Sequence, residues 1–468
     1  MNKTTRTAAA PNDAVSFAPL FGRDEIELRT TQKAVTPFGG IVSFLAWLKQ
    51  LGFLAAVQGA MPFEYKSPNC IGPAAILSAF LLSVILGARR FAHTGWLRFD
   101  RAFHALLGLA RYPGEDAVRG FFHRFTMASI QTFWRPLWIW LLGHLGPAIA
   151  VAGYSLDLDS TILQRSGKQQ GAAKGYNPGR PGRFSHHPLL AVLAEAPFVL
   201  HAWLRSGNTA AGRGVVAFLQ EALALLPAGW RLRMLRADSG FFDHQLLSFC
   251  EERGLLYLVV ARLTGQVKAG ARSLTEWTKI DERFSVGEFR RQLQGWHTER
   301  RFIVLRERVE EKPSEREAKG RKLIDVPGFT FRIWVTNAPG EAMVLWRDYN
   351  QRATVEQRIE ELKNDLSVGG FCTQAFYATE AAFLASIFAF NLLAVYQLQV
   401  LKGSGYRQPA TLRAAVFVAG AILGQSGRTK VVRLAACWGG LDKHRAFLEQ
   451  ALRTQEPNSP ILDPDLVL

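Results

Sequence analysis

The sequence predicts an α/β protein: a layered core of strands and helices, interrupted by a β-rich insertion and flanked by helical regions at both ends. Three observations carry that expectation. Near residue 151 long apolar helical stretches give way to strand-like alternation; from there to residue 262 three strands are followed by helix, strand, helix and strand; and residues 263–343 read as short alternating stretches between charged turns, after which helical periodicity returns.

Taken in order, residues 1–35 are polar and mixed, with no basic segment leading into an apolar run, and read as a loose tail without a secretory signal. Residues 36–150 form a helical region and a candidate DNA-binding unit. It comprises "GGIVSFLAWLKQLGFLAAV", the apolar segment after Pro73, "RAFHALLGLA", and the stretch after the Pro113-Gly114 break. Within that last stretch Val118, Phe121, Phe122 and Phe125 oppose Arg119 and Arg124, the pattern of an amphipathic helix with a solvated basic face. "GYSLDLDST" then alternates, so Ser155, Asp157 and Asp159 share one side of a half-buried strand. "HPLLAVLAEA" and "FVLHAWLRSGN" are further strands, "RGVVAFLQEALALL" a helix, "RLRMLRADSGF" a strand ending at Asp238, residues 243–253 a helix and "GLLYLVVAR" a strand. The insertion contributes "RFSVGEFRRQL", "ERRFIVLRERV" and "GFTFRIWVTN". Residues 344–401 return to the core with two helices, and residues 402–468 are read as a basic helical tail that includes "GRTKVVRL".

Composition narrows the class. The 468 residues are 48% hydrophobic, enough for a sizeable core, and 56 Lys plus Arg against 39 Asp plus Glu leave a net charge of +17, which suits a polyanion. Cys70, Cys250, Cys372 and Cys437 lie far apart, in no zinc-binding spacing, as in a reduced cytoplasmic protein. Residues 67–88, 136–156 and 381–401 lack Asp, Glu, Lys and Arg and are long enough to span a bilayer, yet they contain Pro, Gly, His144, Asn391, Gln397 or Gln399, as buried core helices do. The reading taken is no membrane.

The chemistry concentrates in "RDYNQRATVEQRIEELKNDL", residues 347–366. Val355, Ile359, Leu362 and Leu366 make a core-facing stripe. Tyr349, Arg352, Glu356 and Lys363 make a second line, roughly 75° around the helix, that a surface helix does not need. Asp159, Asp238 and Glu356 are the acids that could converge. Two carboxylates at about 4 Å repel by roughly 4 kcal/mol at an effective dielectric near 20, so three together require a cation. All-oxygen donors suit Mg²⁺ or Mn²⁺, and a pair of such ions can activate a nucleophile and stabilise the leaving oxygen of a phosphodiester. The basic, Gly-rich segment 164–187 reads as a flexible linker or a grip on DNA backbone, and its His186 and His187 as solvent-exposed or phosphate-facing.

Tyr349, Arg352, Glu356 and Lys363, spaced Y-x2-R-x3-E-x6-K, resemble the signature of DDE transposases of bacterial insertion sequences, in the family numbered four and its relatives. "LDLDST" and "RADSGF" resemble the segments that carry that family's first two catalytic aspartates, and the likeness extends over about residues 151–400. It implies an RNase H-like core split by the insertion, with Asp159, Asp238 and Glu356 as catalytic metal ligands for Mg²⁺ or Mn²⁺, two ions per site. It also implies cleavage at the element's ends and strand transfer into target DNA, with Tyr349, Arg352 and Lys363 binding DNA phosphates. Asp157 points the same way as Asp159, which is preferred because it directly precedes the Ser-Thr pair; Glu360 is the alternative third acid. The partners implied are double-stranded DNA carrying terminal inverted repeats, target DNA and a second copy of the chain, in a bacterial cytoplasm at the nucleoid. Trp277, Trp296 and Trp334 are the insertion's aromatics that could receive a flipped base. A DNA-binding relative that no longer cleaves is the alternative function; a multi-span membrane protein is the more remote one.

Overall fold

Alternation around the two aspartates produces the strand at the heart of a nine-stranded sheet. The computed structural model describes residues 15–146, 149, 153–309, 326–403, 405–437, 444–446 and 448–450; expectations for the first residues of the tail, the insertion's 310–325 segment and the chain end lie outside them. The sheet strands are β1 (Tyr154–Ser160), β2 (Leu189–Leu193), β3 (Phe198–Trp203), β4 (Leu232–Ala237), β5 (Tyr257–Val260), β6 (Thr278–Lys279), β7 (Phe284–Arg291), β8 (Arg300–Arg308) and β9 (Phe329–Thr336). They lie in the order β6-β7-β8-β9-β5-β4-β1-β2-β3. β1, β2 and β3 form an antiparallel meander, whereas β4 runs parallel to β1 and β5 parallel to β4. The segment after residue 263 adds β6 to β9 to the same sheet, because β9 pairs antiparallel with β5, and it also contains a helix, Gly265–Arg272.

The helices that matter for the site are α1 (Met127–Leu145), α2 (Val215–Leu223), α3 (His244–Glu252), α4 (Ala342–Asn350), α5 (Ala353–Asn364) and α6 (Phe376–Val400). α6 packs against α1, β3 and the Pro73–Ile85 helix. Among the described residues it is the one helix long and apolar enough to cross a bilayer, apart from the bent pair Gly39–Gln50 and Phe53–Ala60, and 94% of its most apolar window is buried. Its polar residues have partners inside the protein. Asn391 accepts the Val199 N–H and donates to the Val199 carbonyl, both at 2.8 Å, and so clamps the edge strand β3. Gln399 donates to the His144 carbonyl at 2.8 Å and accepts from the Trp47 indole at the same distance. These bonds explain the amides in an apolar run: they are the seams of a core helix. The other apolar stretches divide differently, residues 67–88 yielding the 13-residue helix Pro73–Ile85 and residues 136–156 spanning the end of α1 and the start of β1.

The expected helical tail is corrected by a hairpin. Ala421–Ser426 and Thr429–Leu434 pair antiparallel, and Ala34–Thr36 adds a third strand, so "GRTKVVRL" is largely strand and the end of the supposed loose tail is pinned. Gly427 takes φ +58°, the left-handed conformation that a two-residue hairpin turn requires, and the adjacent Val431 and Val432 favour a strand. In the N-terminal region Arg119 pairs with Glu115 and lies over Phe91, and Arg124 lies over Tyr65. Both arginines are therefore engaged within the protein.

Two measurements follow from α6. Asn391→Leu strands the Val199 N–H without an acceptor, and a loss of about 2 kcal/mol in urea unfolding is expected. Glu380, in the second turn of α6, is lifted to about 7 by burial, with the Leu204 N–H opposing the shift and Glu221 adding to it. A carboxyl raised in the folded state contributes stability that is fully present below its ordinary value of 4.5 and is lost as pH rises from there to about 7. Glu380→Gln is therefore expected to leave stability nearly unchanged at pH 4 and to raise it at pH 8, by on the order of 3 kcal/mol, in the same assay.

Candidate active site

The register of two parallel strands builds the site. Arg236 of β4 stands opposite Asp157 of β1, and Ala237 opposite Leu158. Paired residues share a face of the sheet, so one step further Asp238 comes level with Asp159, at the carboxyl ends of adjacent parallel strands where open α/β sheets bind their ligands.

The inner pair is a closed ionic unit. Arg236 grips Asp157 through two bonds, Nε to Oδ1 at 2.7 Å and Nη2 to Oδ2 at 2.8 Å, and neither side chain is exposed. Arg236 Nη1 donates to the Asp348 carbonyl at 2.6 Å, while Arg233 pairs with the Asp348 carboxylate at 3.1 Å. Both arginines thus tie the end of α4 to the sheet. Asp157, with both oxygens committed, belongs to this structural unit.

The outer pair is open. Asp159 accepts the Ser160 N–H at 2.7 Å and pairs with Arg352 Nη2 at 3.2 Å. Burial raises its carboxyl to about 6; Arg352 opposes the rise, and the charges of Asp238 and Glu356 add to it. Asp238 follows β4 directly and accepts the Gly240 N–H at 2.8 Å, capping a short turn. Glu356 is exposed in the first turn of α5. Two turns along, Lys363 is half-buried; burial lowers its ammonium pKa, and the charges of Asp159 and Glu360 oppose that shift. Tyr349 closes the floor, its hydroxyl donating to the Ala237 carbonyl at a long 3.4 Å and its ring 5.4 Å from that of Trp334. Desolvation pushes its phenol up to about 12. The three acids and all four members of the second stripe therefore occupy one neighbourhood.

The stretch expected as a single helix is two. α4 ends at Asn350 and α5 begins at Ala353, and across the junction Gln351 and Arg352 donate to the carbonyls three residues back, at 3.3 and 2.9 Å. This tightened turn aims Arg352 into the sheet, where it is 7% exposed and Nη2 also donates to the Leu158 carbonyl at 2.8 Å. Val355, Ile359, Leu362 and Leu366 are buried as their stripe requires.

An all-oxygen set of two aspartates and a glutamate suits a hard divalent cation in kind. In this arrangement the spacing does not: among the described residues no three acidic, His or Cys side chains stand close enough to hold a metal ion, and a guanidinium already lies on Asp159.

Other candidate residues fall elsewhere. His186 and His187 are buried, contrary to the expectation of exposure. Arg165 Nε donates to His186 Nδ1 at 2.8 Å, and burial lowers His186 to about 4. His187 lies beside the site, Nε2 3.1 Å from Ser160 Oγ and Nδ1 2.7 Å from the Thr209 carbonyl. The segment around them is a small three-stranded sheet, so close-packed that a Cβ on Gly175 would meet the Gly207 carbonyl oxygen at 1.9 Å. Arg165 is buried there; Lys168, Lys174, Arg180 and Arg183 are exposed. Trp334 is buried, Trp296 lies under Arg300 and Trp277 under Arg306. All four cysteines are free. Sequence reasoning missed Arg236 and Asp348. The signal was present, since Arg236 precedes Asp238 by two residues as Asp157 precedes Asp159, and parallel pairing sets the two pairs side by side.

A family model for the transposase DDE domain group 1 matches residues 18–455. No curated protein is recognisably similar to the chain. Among solved structures the chain is similar to a piggyBac transposase in a synaptic complex with hairpin DNA, with 11% identity and a TM-score of 0.42 over 92% of this chain and 86% of that one.

The two aspartates of β1 should separate in a stability experiment. Asp157→Asn leaves the buried Arg236 without its two-bonded counter-charge, Asp348 alone remaining, and a loss of roughly 3 kcal/mol is expected. Asp159→Asn removes a desolvated charge while Asp157 and Asp238 still act on Arg352, so urea unfolding is expected to change by less than about 1 kcal/mol.

Proposed function

The chain belongs to the family of transposase DDE domains and is a DNA transposase, and on that premise we propose that it cuts the ends of its own element and joins them to target DNA at the site formed by Asp159, Asp238 and Glu356. The observation that carries this reading is the level pairing of Asp159 and Asp238 at the ends of β1 and β4, with the Glu356 helix laid against them. We read the order β3-β2-β1-β4-β5 as an RNase H-like core, the later strands as its insertion, and the Tyr349, Arg352, Glu356 and Lys363 spacing as membership of the Y-R-E-K group of bacterial elements.

Each residue has a task in this reading. Asp159, Asp238 and Glu356 are the residues that would hold Mg²⁺ or Mn²⁺, drawn closer together than in the arrangement described, and the ion would supply electrostatic stabilisation of charge on the reacting phosphate. Lys363, near Asp159 but among the described residues in no ion pair with it, meets a phosphate beside the scissile bond. Arg352 contributes a fork that matches phosphate oxygens, and Tyr349 fixes the junction that presents it. Asp157, Arg236 and Asp348 keep α4 in place and touch no substrate. Lys168, Lys174, Arg180 and Arg183 add backbone contacts with double-stranded DNA, and a homodimer brings two ends together. The protein works in the cytoplasm, on nucleoid DNA.

The test is to incubate the purified chain with DNA spanning its own gene and flanks, with Mg²⁺ or with EDTA, and to map new 3′-hydroxyl ends. Paired cuts at inverted repeats are expected with metal only, reduced by a factor of about 10³ or more in Glu356→Gln. Salt-sensitive binding without cuts under any metal would instead assign the chain to the DNA-binding relatives that do not cleave.

A further inference from the structure

At the β3 edge of the sheet, two strands from β1, a pocket of about 550 Å³ lies between α1, β3, α2 and α6 and shares no residue with Asp159, Asp238 or Glu356. That is the size of a small-molecule site. Trp134 and Trp138 of α1, Trp203 of β3, and Phe376 and Tyr377 of α6 line it. Met127 and Tyr377, also in the lining, are exposed, so the pocket opens to solvent. Two carboxyls stand among these rings, and they are held very differently. Glu221 accepts the Trp203 indole N–H at 2.8 Å and lies 3.0 Å from His201 Nε2. Burial pushes it up, but those bonds and the charge of Arg135, another lining residue, hold it below its ordinary value. Among the described residues Glu380 accepts one bond, from the Leu204 N–H at 3.3 Å, and pairs with no Lys, Arg or His. The charge that acts on it is that of Glu221, of its own sign.

We propose that this pocket binds a small organic cation, an amine or amidine carried on a flat apolar body, with its charge against Glu380 and its body among the aromatic rings. The inference stands apart from the transposase reading. Arg135 and His201 answer Glu221, which leaves Glu380 as the one carboxyl in the lining without a positive partner among the described residues. Aromatic faces carry partial negative charge and attract a cation in the same sense, while their area suits a flat ring. An anion would meet two carboxyls here, and a hard metal ion would find a mostly apolar wall. In a chain of net charge +17 this is a local inversion that attraction to a polyanion does not explain. Burial lifts Glu380 to about 7, so a bound cation, which favours the carboxylate, expels its proton. Affinity therefore rises with pH through about 7.

The experiment is a calorimetric titration of the full chain with benzamidine, an amidinium on a flat ring, and with benzamide, its neutral counterpart, at pH 6, 7 and 8. The same titrations are run on Glu380→Gln, which keeps an acceptor for the Leu204 N–H. For the unmodified chain at pH 8, benzamidine is expected to bind roughly tenfold or more tighter than benzamide. Its affinity is expected to fall roughly tenfold at pH 6, and about half a proton is expected to be released at pH 7, read from two buffers of different ionisation heat. In the variant the two compounds are expected to bind alike, with no proton release. A proton gained by His201 would also oppose a cation, so a pH dependence that persists in the variant would overturn the role of Glu380. Equal affinity for the two compounds in the unmodified chain, or binding of neither, would overturn the proposal. Should the variant fail to fold, the preference of the unmodified chain and its proton release decide alone.

Discussion

The parallel pairing of β1 with β4 is the constraint on which the rest depends. Because the ladder sets Arg236 against Asp157, it also sets Asp238 level with Asp159 one step later. A slip of one residue would face Asp157 with Leu235 or Ala237 and turn every side chain of the slipped strand to the other face of the sheet. The ion pair of zero exposure is thus a register lock: any other alignment buries two unpaired charges, a far larger penalty than any hydrophobic mismatch in the same strands.

The lock reaches beyond the sheet. Arg236 and Arg233 both bond Asp348, so the end of α4 is fixed to the face that carries the acids, and the tight turn at residues 351–352 then fixes where α5 begins. Val355, Ile359, Leu362 and Leu366 seat α5 on the core. Glu356 lies one residue after Val355, so its place above β1 and β4 is determined twice, by an ionic tie at one end of the helical pair and an apolar stripe at the other. α6 provides the backing: its amides bond β3 and the end of α1 and so join both to the layer behind the meander.

Much of this was legible because it follows from short-range periodicity. Asp157 and Asp159 on one side of a strand, the apolar stripe of α5, and the alternation of strands and helices are period-2 and period-3.6 patterns that survive folding unchanged. The neighbourhood of Asp159, Asp238 and Glu356 was legible only through residue types, since acids gathered from distant segments need a common ligand. What stayed hidden depends on partners far away in the chain. No Pro or Gly marks the break at Gln351–Arg352, and the turn there answers to contacts with β1 and β4. His186 and His187, polar in a basic segment, are buried by the glycine-tight sheet around them. The terminal hairpin was misread because Ser-Gly-Arg-Thr was taken within a basic helix, although a glycine between alternating stretches is also a turn signal.

Placing the arginine and the third carboxylate on one helix start has a physical consequence. Arg352 and Glu356 stand one turn apart, so the cation that shields Asp159 and the acid that adds to its charge share a single rigid frame. The electrostatics of the site are therefore uneven: Asp159 and Asp238 each accept a backbone N–H, whereas the buried Nε of Arg352 has no hydrogen-bond acceptor. Arg352 is thus the group paired with Asp159, while the charges of Asp238 and Glu356 add to the rise that burial imposes on the Asp159 carboxyl.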